Sequence, residues 1–153
     1  MKKAVIVFAL IVACLSSTGC SNSNIDKQKL CNGVWAARYG GTALWGTVEF
    51  SDYYIYDFSS NGTVIYYNYG GSYHDKGTAP SFSETKFTGK YKMDMSNKQI
   101  IIAFDEDSNG ISQDDQTIPY YINEYTHDMI FKPDSNGESM YRNYASIDDI
   151  HFY

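Results

Sequence analysis

"TKFTGKYKMDM", Thr85 to Met95, decides the fold. Phe87, Gly89, Tyr91, Met93 and Met95 fall on one face of this stretch, and Thr88, Lys90, Lys92 and Asp94 on the other. A period of two is the pattern of a strand with one face buried and one wet. Its apolar face has to meet a core that other parts of the chain provide. Gly89, inside the strand, leaves room for a large neighbour such as Trp35, or marks a bend.

The same chemistry continues on both sides. "ALWGTVEF" (Ala43 to Phe50), "DYYIYDF" (Asp52 to Phe58) and "TVIYYNY" (Thr63 to Tyr69) precede it as strand candidates. "QIIIAF" (Gln99 to Phe104), "TIPYYINEY" (Thr117 to Tyr125), "MIFK" (Met129 to Lys132) and "SMYRNY" (Ser139 to Tyr144) follow. The chain has fifteen tyrosines and none in its first nineteen residues, and aromatic residues favour a pleated, half-buried surface. Pro119 donates no backbone hydrogen bond, so it belongs at an edge or a strand start.

Turn chemistry separates these segments. Ser59–Gly62, Ser96–Lys98, Thr126–Asp128 and Asp134–Gly137 are short, and two of them contain Asn-Gly, a strong hairpin signal. Residues 70–83 make a longer loop with Gly, Pro and Ser. Past the leader no stretch has a convincing helical period, and residues 24–35 are expected to form one turn at most. Short strands joined by tight turns make an antiparallel meander, which removes its edges by closing. The expected fold is all-β: an antiparallel up-and-down barrel of about eight strands, over residues 30–153.

The N-terminus reads as an address. Lys2 and Lys3 precede an apolar run, Ala4 to Leu15, then "SSTG" and Cys20. Twelve apolar residues are too few for a bilayer span, which takes about 20. The order of parts is that of an export signal, expected over residues 1–19. "STGC" resembles a bacterial lipobox, whose cysteine becomes a lipidated N-terminus; Ser17 stands where that pattern prefers leucine. The plain alternative is a secretory signal beside an incidental Cys20. Residues 20–29, polar and rich in Ser and Asn, read as a tether between lipid and domain.

Cleavage before Cys20 leaves 134 of the 153 residues, one ordinary domain. It removes two lysines and takes the net charge from −6 to about −8. An acidic chain without a basic stripe does not suit nucleic acid or an anionic lipid surface. Cys14 leaves with the signal, so Cys31 has no disulfide partner within the domain. It reads as a small packed residue, with no nearby base to make it a nucleophile.

Several motifs in order carry a resemblance. "LCNGVW" (Leu30 to Trp35) has the form L-x-G-x-W at a first strand. "YDFSSNGTVIYY" (Tyr56 to Tyr67) joins an aromatic strand through F-x-x-x-G-T to its partner. "FTGKYKM" (Phe87 to Met93) holds G-x-Y, and "MYRN" (Met140 to Asn143) ends the last hairpin. The succession resembles the lipocalin-like domains on lipoproteins of Bacteroides and related bacteria. The resemblance implies a small barrel on a lipid anchor, no catalytic residues, and a Trp35 packed at the closed barrel end.

The sharpest local motif is "DEDSNGISQDDQ", Asp105 to Gln116. Asp105, Asp107 and Asn109 match the first oxygen ligands of a calcium loop, with Gly110 at the sharp turn. Gln116 occupies the twelfth position, where a bidentate glutamate is wanted; Asp114 or Asp115 is the possible substitute. The alternative is a solvated acidic hairpin loop. His74, His127 and His151 match no zinc spacing. Glu49, Asp52 and Asp57 offer carboxylates for glycoside hydrolysis, with nothing to set two of them across a cleft.

Binding is the remaining class. Tyr54, Tyr56, Tyr66, Tyr67 and Tyr69 crowd two neighbouring strands, and rings with polar tips suit sugar faces or amphipathic ligands. Alternation sends these rings to both faces, so about half can line one cavity. The sequence therefore points to a non-enzymatic module, lipid-anchored at the outer membrane and weakly favouring its periplasmic side. It would bind a small ligand or an envelope partner and need no cofactor. The rivals are a structural or protein-interaction lipoprotein with a filled barrel, and, further off, a hydrolase or protease inhibitor.

Overall fold

Nine antiparallel strands make one sheet in the computed structural model, which describes residues 20–106, 110–111 and 113–152. They are β1 (Val34–Ala43), β2 (Val48–Phe58), β3 (Thr63–Gly71), β4 (His74–Asp75), β5 (Phe82–Asp94), β6 (Gln99–Phe104), β7 (Gln116–Ile122), β8 (Met129–Phe131) and β9 (Arg142–Tyr144). Their order across the sheet is β8-β7-β6-β5-β3-β2-β1-β9, with β4 also paired to β2. The sheet is the expected all-β, up-and-down arrangement, strongly curled into a half-barrel. Its two edges, β8 and β9, are consecutive in the chain. Segment 133–141 joins them through the Pro133–Ser139 bridge and a bond from Met140 N to the Lys132 carbonyl.

β5 holds the curl. Residues 82–90 pair with β3 and residues 89–94 with β6, so the strand passes from one partner to the other at Gly89. A Cβ on Gly89 would meet the Ala103 carbonyl oxygen at 2.4 Å. The missing side chain admits the β6 backbone, not Trp35. Tyr91 is buried, while Phe87 and Met93 pack half-buried against the same core, so the apolar face points inward.

The pleat divides β2 between two cores. Tyr56 and Phe58 face the concave side with Trp35, Tyr66, Tyr91, Ile100, Ile102 and Phe131. Tyr53 and Ile55 face the convex side with Val34 and Ala36. The C-terminal segment covers that second face. Ile150 is buried against it, and the Phe152 ring sits 4.7 Å from Tyr69 and 4.8 Å from Tyr53.

Three local expectations need correction. Residues 43–50 are not one strand: they hold the end of β1, a 3-10 turn at Leu44–Gly46 and the start of β2, and Trp45 has φ 64°. β3 and β4 are one strand broken by a bulge within residues 70–83, since Asp52 pairs Gly70 but Glu49 pairs His74, one residue out of step. Pro119 lies inside β7, where its carbonyl accepts from Lys132 N. β8 has ended there and Lys132 has turned to φ 47°, so no ladder bond requires the missing N–H.

The expected tether over 20–29 belongs to helix α1, Cys20–Leu30. Its sequence has no amphipathic period because its docking is polar and local. Asp26 is buried and accepts from Lys98 Nζ at 3.2 Å and the Tyr120 hydroxyl at 3.3 Å. Lys29 Nζ reaches the His127 carbonyl. Leu30 is fully buried, and its carbonyl accepts from Trp35 Nε1 at 2.9 Å. The helix lies across the end of the half-barrel formed by the β5–β6 and β7–β8 turns. Tertiary contacts thus supply what propensity does not. The leader, 1–19, lies outside the described residues, and among those described no helix is long and apolar enough to cross a membrane.

Candidate functional site

At the α1 end the concave side is filled by Leu30, Trp35, Phe58, Tyr91 and Phe131. Further along, toward the tips of β1 and β2, it opens into a cleft of about 310 Å³. Tyr54, Tyr56 and Tyr66 line it with Tyr141, Gln116 and Lys132. The register explains the convergence: Tyr56 pairs directly with Tyr66, and Tyr54 lies two residues from Tyr56 on the same face. The rings of Tyr56 and Tyr66 are 4.8 Å apart, and those of Tyr56 and Tyr141 are 5.5 Å apart. Tyr56 donates to Gln116 Oε1, and Lys132 Nζ stands 5.7 Å above the Tyr141 ring.

Burial disfavours the ionised form of the cleft's phenols. Burial, with Tyr54 nearby, pushes the Tyr66 hydroxyl up to about 12. Burial drives Tyr56 higher still, helped by Tyr141 and Tyr66, and Tyr141 rises for the same chief reason. Tyr54 is raised by burial and then by the Asp52 carboxylate. At neutral pH the cleft therefore presents hydroxyl donors, one amide and one ammonium around aromatic faces. Phe87 and Phe104 extend the aromatic surface from Tyr66, at 6.3 and 5.9 Å.

Tyr67 and Tyr69 do not join this group. They sit on the convex face, stacked 6.2 Å apart, with Lys86 Nζ 5.4 Å from the Tyr67 ring and Phe152 against Tyr69. The period of two separates them from Tyr54, Tyr56 and Tyr66. Five lining residues escaped sequence reading, Thr117 and Ile118 of β7 among them. Tyr141 precedes β9 and turns inward; Lys132 follows β8; Gln116, the twelfth residue of the acidic motif, faces Tyr56 rather than a cation.

No family model matches this chain, and no curated protein or solved structure matches it.

The other candidates are dispersed. Asp107 and Asn109 lie outside the described residues. Asp105 is exposed and accepts from Thr88 Oγ1 at 3.4 Å, and Asp115 accepts from Phe104 N at 3.1 Å. Among the described residues no three His, Cys, Asp or Glu side chains gather to hold a metal. Asp52 accepts from Gly71 N at 3.1 Å on the concave parity, whereas Glu49, 4.0 Å from His74 Nε2, and Asp57 take the opposite parity. They form no facing pair. Cys31 Sγ lies 3.1 Å from the Tyr91 hydroxyl, which donates to the Ser59 carbonyl. The side chain of Cys20 lies outside the described residues.

Proposed function

We propose that this chain is a non-enzymatic binding module of the cell envelope, of lipocalin-like type, which takes a small amphipathic or carbohydrate ligand into the tyrosine cleft. The observation that carries the reading is the convergence of Tyr54, Tyr56, Tyr66 and Tyr141 on one open cavity large enough for a few sugar units or a small ring system. Flat aromatic faces pack on the apolar side of a sugar, while phenol, amide and ammonium groups take its hydroxyls. Among the described residues the lining has neither a carboxylate nor an imidazole. Placement at the outer membrane rests on the leader and Cys20 alone.

Titration with the fluorescent amphiphile N-phenyl-1-naphthylamine, and with short β-linked gluco-oligosaccharides, tests the cleft. Saturable binding weakened at least tenfold in Tyr54→Ala and unchanged in Tyr67→Ala is the expected result. Binding of neither probe, or equal loss in both variants, would sink the reading. A separate arm tests the address: Cys20→Ala in the native host should leave the protein unprocessed or free of the membrane fraction. Continued palmitate labelling would exclude Cys20 as the anchor.

A second reading has its own support. The half-barrel is filled at the α1 end, and an aromatic run leads from exposed Tyr39 through half-buried Phe50 to exposed Tyr73, with steps of 6.0 and 5.3 Å. Trp45 stands fully exposed at the β1–β2 tip. Such a surface fits a protein-interaction lipoprotein.

A further inference from the structure

The aromatic surface does not stop at the tyrosine cleft. β2 carries Tyr56, Tyr54, Asp52 and Phe50 at alternate positions, and its pairing with β1 is unbroken from Asp57 to Val48, so all four share the concave parity. At about 3.4 Å per residue, Tyr56 and Phe50 stand about 20 Å apart along the strand. Rings from neighbouring segments flank this spine. Tyr66 pairs with Tyr56, and Tyr39 pairs with Asp52, diagonally from Tyr54. The Tyr39 and Tyr73 rings lie 6.0 and 5.3 Å from Phe50. The cleft and the aromatic run are therefore one track along β2.

The make-up of the track suits sugar better than protein. Gly41 pairs with Phe50, and a Cβ there would meet the Phe50 ring carbons at 3.2 and 3.4 Å. The bare backbone lets that ring lie over β1. Aromatic faces stack on the apolar side of a sugar, and the tyrosine tips take its hydroxyls. Asp52 sits midway along the track. Its carboxylate accepts from Gly71 N at 3.1 Å and is close enough to help raise the Tyr54 hydroxyl. A carboxylate has about four acceptor positions, so Asp52 can take sugar hydroxyls as well. Charge of this kind is depleted at the centre of a protein contact. An acidic glycan would set its own carboxylates against it.

We infer that the concave face binds a neutral linear glycan lengthwise along β2, with sugar rings on Tyr56 and Tyr54 at one end and on Tyr39, Phe50 and Tyr73 at the other. The inference rests on the reading of the tyrosine cleft as a sugar site and gives that site its substrate class, a chain several sugars long. A disaccharide occupies the cleft alone, whereas a hexasaccharide reaches Tyr73. Asp52, between the two ends, accepts hydroxyls of the middle sugars in charge-assisted hydrogen bonds.

The test is isothermal titration of the full chain with cellobiose, cellotetraose and cellohexaose. Affinity should rise at least tenfold from cellobiose to cellohexaose. Tyr39→Ala and Tyr73→Ala should each weaken cellohexaose at least fivefold and leave cellobiose unchanged, whereas Tyr54→Ala should weaken both. Tyr39 and Tyr73 are 62 % and 68 % exposed, so their variants should keep the parent melting temperature. Equal affinity for the three oligomers, or full cellohexaose affinity in both Tyr39→Ala and Tyr73→Ala, overturns the inference. Either result leaves the cleft reading standing and returns the aromatic run to a protein contact. Absence of binding by all three oligomers also overturns it, and the amphiphile titration then decides the cleft reading alone.

Discussion

The rings of Trp35 of β1 and Phe131 of β8 meet with centroids 5.1 Å apart and planes tilted by 41°, although five strands lie between them in the sheet. In a flat sheet at about 4.8 Å per strand they would stand about 29 Å apart. Their contact measures the curl directly. Phe131 also meets Tyr56, Phe58 and Tyr141, so this one ring ties the β8 edge to the body of the sheet.

Phe131→Ala should therefore cost about 3–5 kcal/mol, as fully buried aromatic truncations do. A denaturant double-mutant cycle with Trp35→Phe should show coupling of about 0.5 kcal/mol or more. Independent, additive costs would mean that the two rings do not meet in solution and that the sheet is flatter than described.

Truncations along β5 test its register. Phe87 is half-buried, so Phe87→Ala should cost about 2 kcal/mol, below the value for a fully buried ring. Lys90→Ala should stay within about 0.5 kcal/mol. Gly89→Ala should exceed both, because the new methyl meets backbone that cannot step aside. Chemical melts of the three variants give the order, and a costly Lys90→Ala would reverse the faces.

The docking of α1 rests on Asp26. Asp26→Ala leaves the buried Tyr120 hydroxyl without its carboxylate and should cost about 1–3 kcal/mol. Lys98 is half exposed, so Lys98→Ala should cost under about 1 kcal/mol. Equal losses in thermal melts would mean that the ion pair, not the buried carboxylate, holds the helix.

Alkaline pH should unfold the protein early. The cleft phenols ionise less readily folded than unfolded, so between pH 10 and about 12 the unfolded chain has released protons that the folded chain keeps. Stability is then full below pH 10 and falls as pH rises through that window. Urea midpoints at pH 8 and pH 11 should show a clear drop, smaller in Tyr66→Phe. A midpoint constant to pH 11 would place these hydroxyls in water.

The legible parts of the fold were those written locally. The alternation of residues 85–94 and the Asn-Gly turn of Ser59–Gly62 stood as read, whereas the Asn-Gly turn of Asp134–Gly137 closes only the isolated Pro133–Ser139 bridge. Helix α1 was not legible because its docking uses one buried acid and one leucine instead of a stripe. The β1–β2 hairpin was misplaced because Trp45 adopts a left-handed backbone that a tryptophan rarely takes. Half of the tyrosine site was readable from parity. Tyr141, Lys132 and Gln116 come from other strands, and only the curl brings them in. Nothing in "SIDDIHF", residues 146–152, announced that it would roof the convex face.

The two tryptophans of the chain occupy opposite surroundings: Trp35 is 5 % exposed and Trp45 wholly exposed. Each is thus a separate optical reporter. Trp35 emission is shielded from aqueous quenchers and follows the packed interior, whereas Trp45 emission is open to iodide and follows whatever touches the hairpin tip. A Trp45→Phe chain would report only on the interior, so unfolding and surface docking can be watched in the same cuvette without any attached dye.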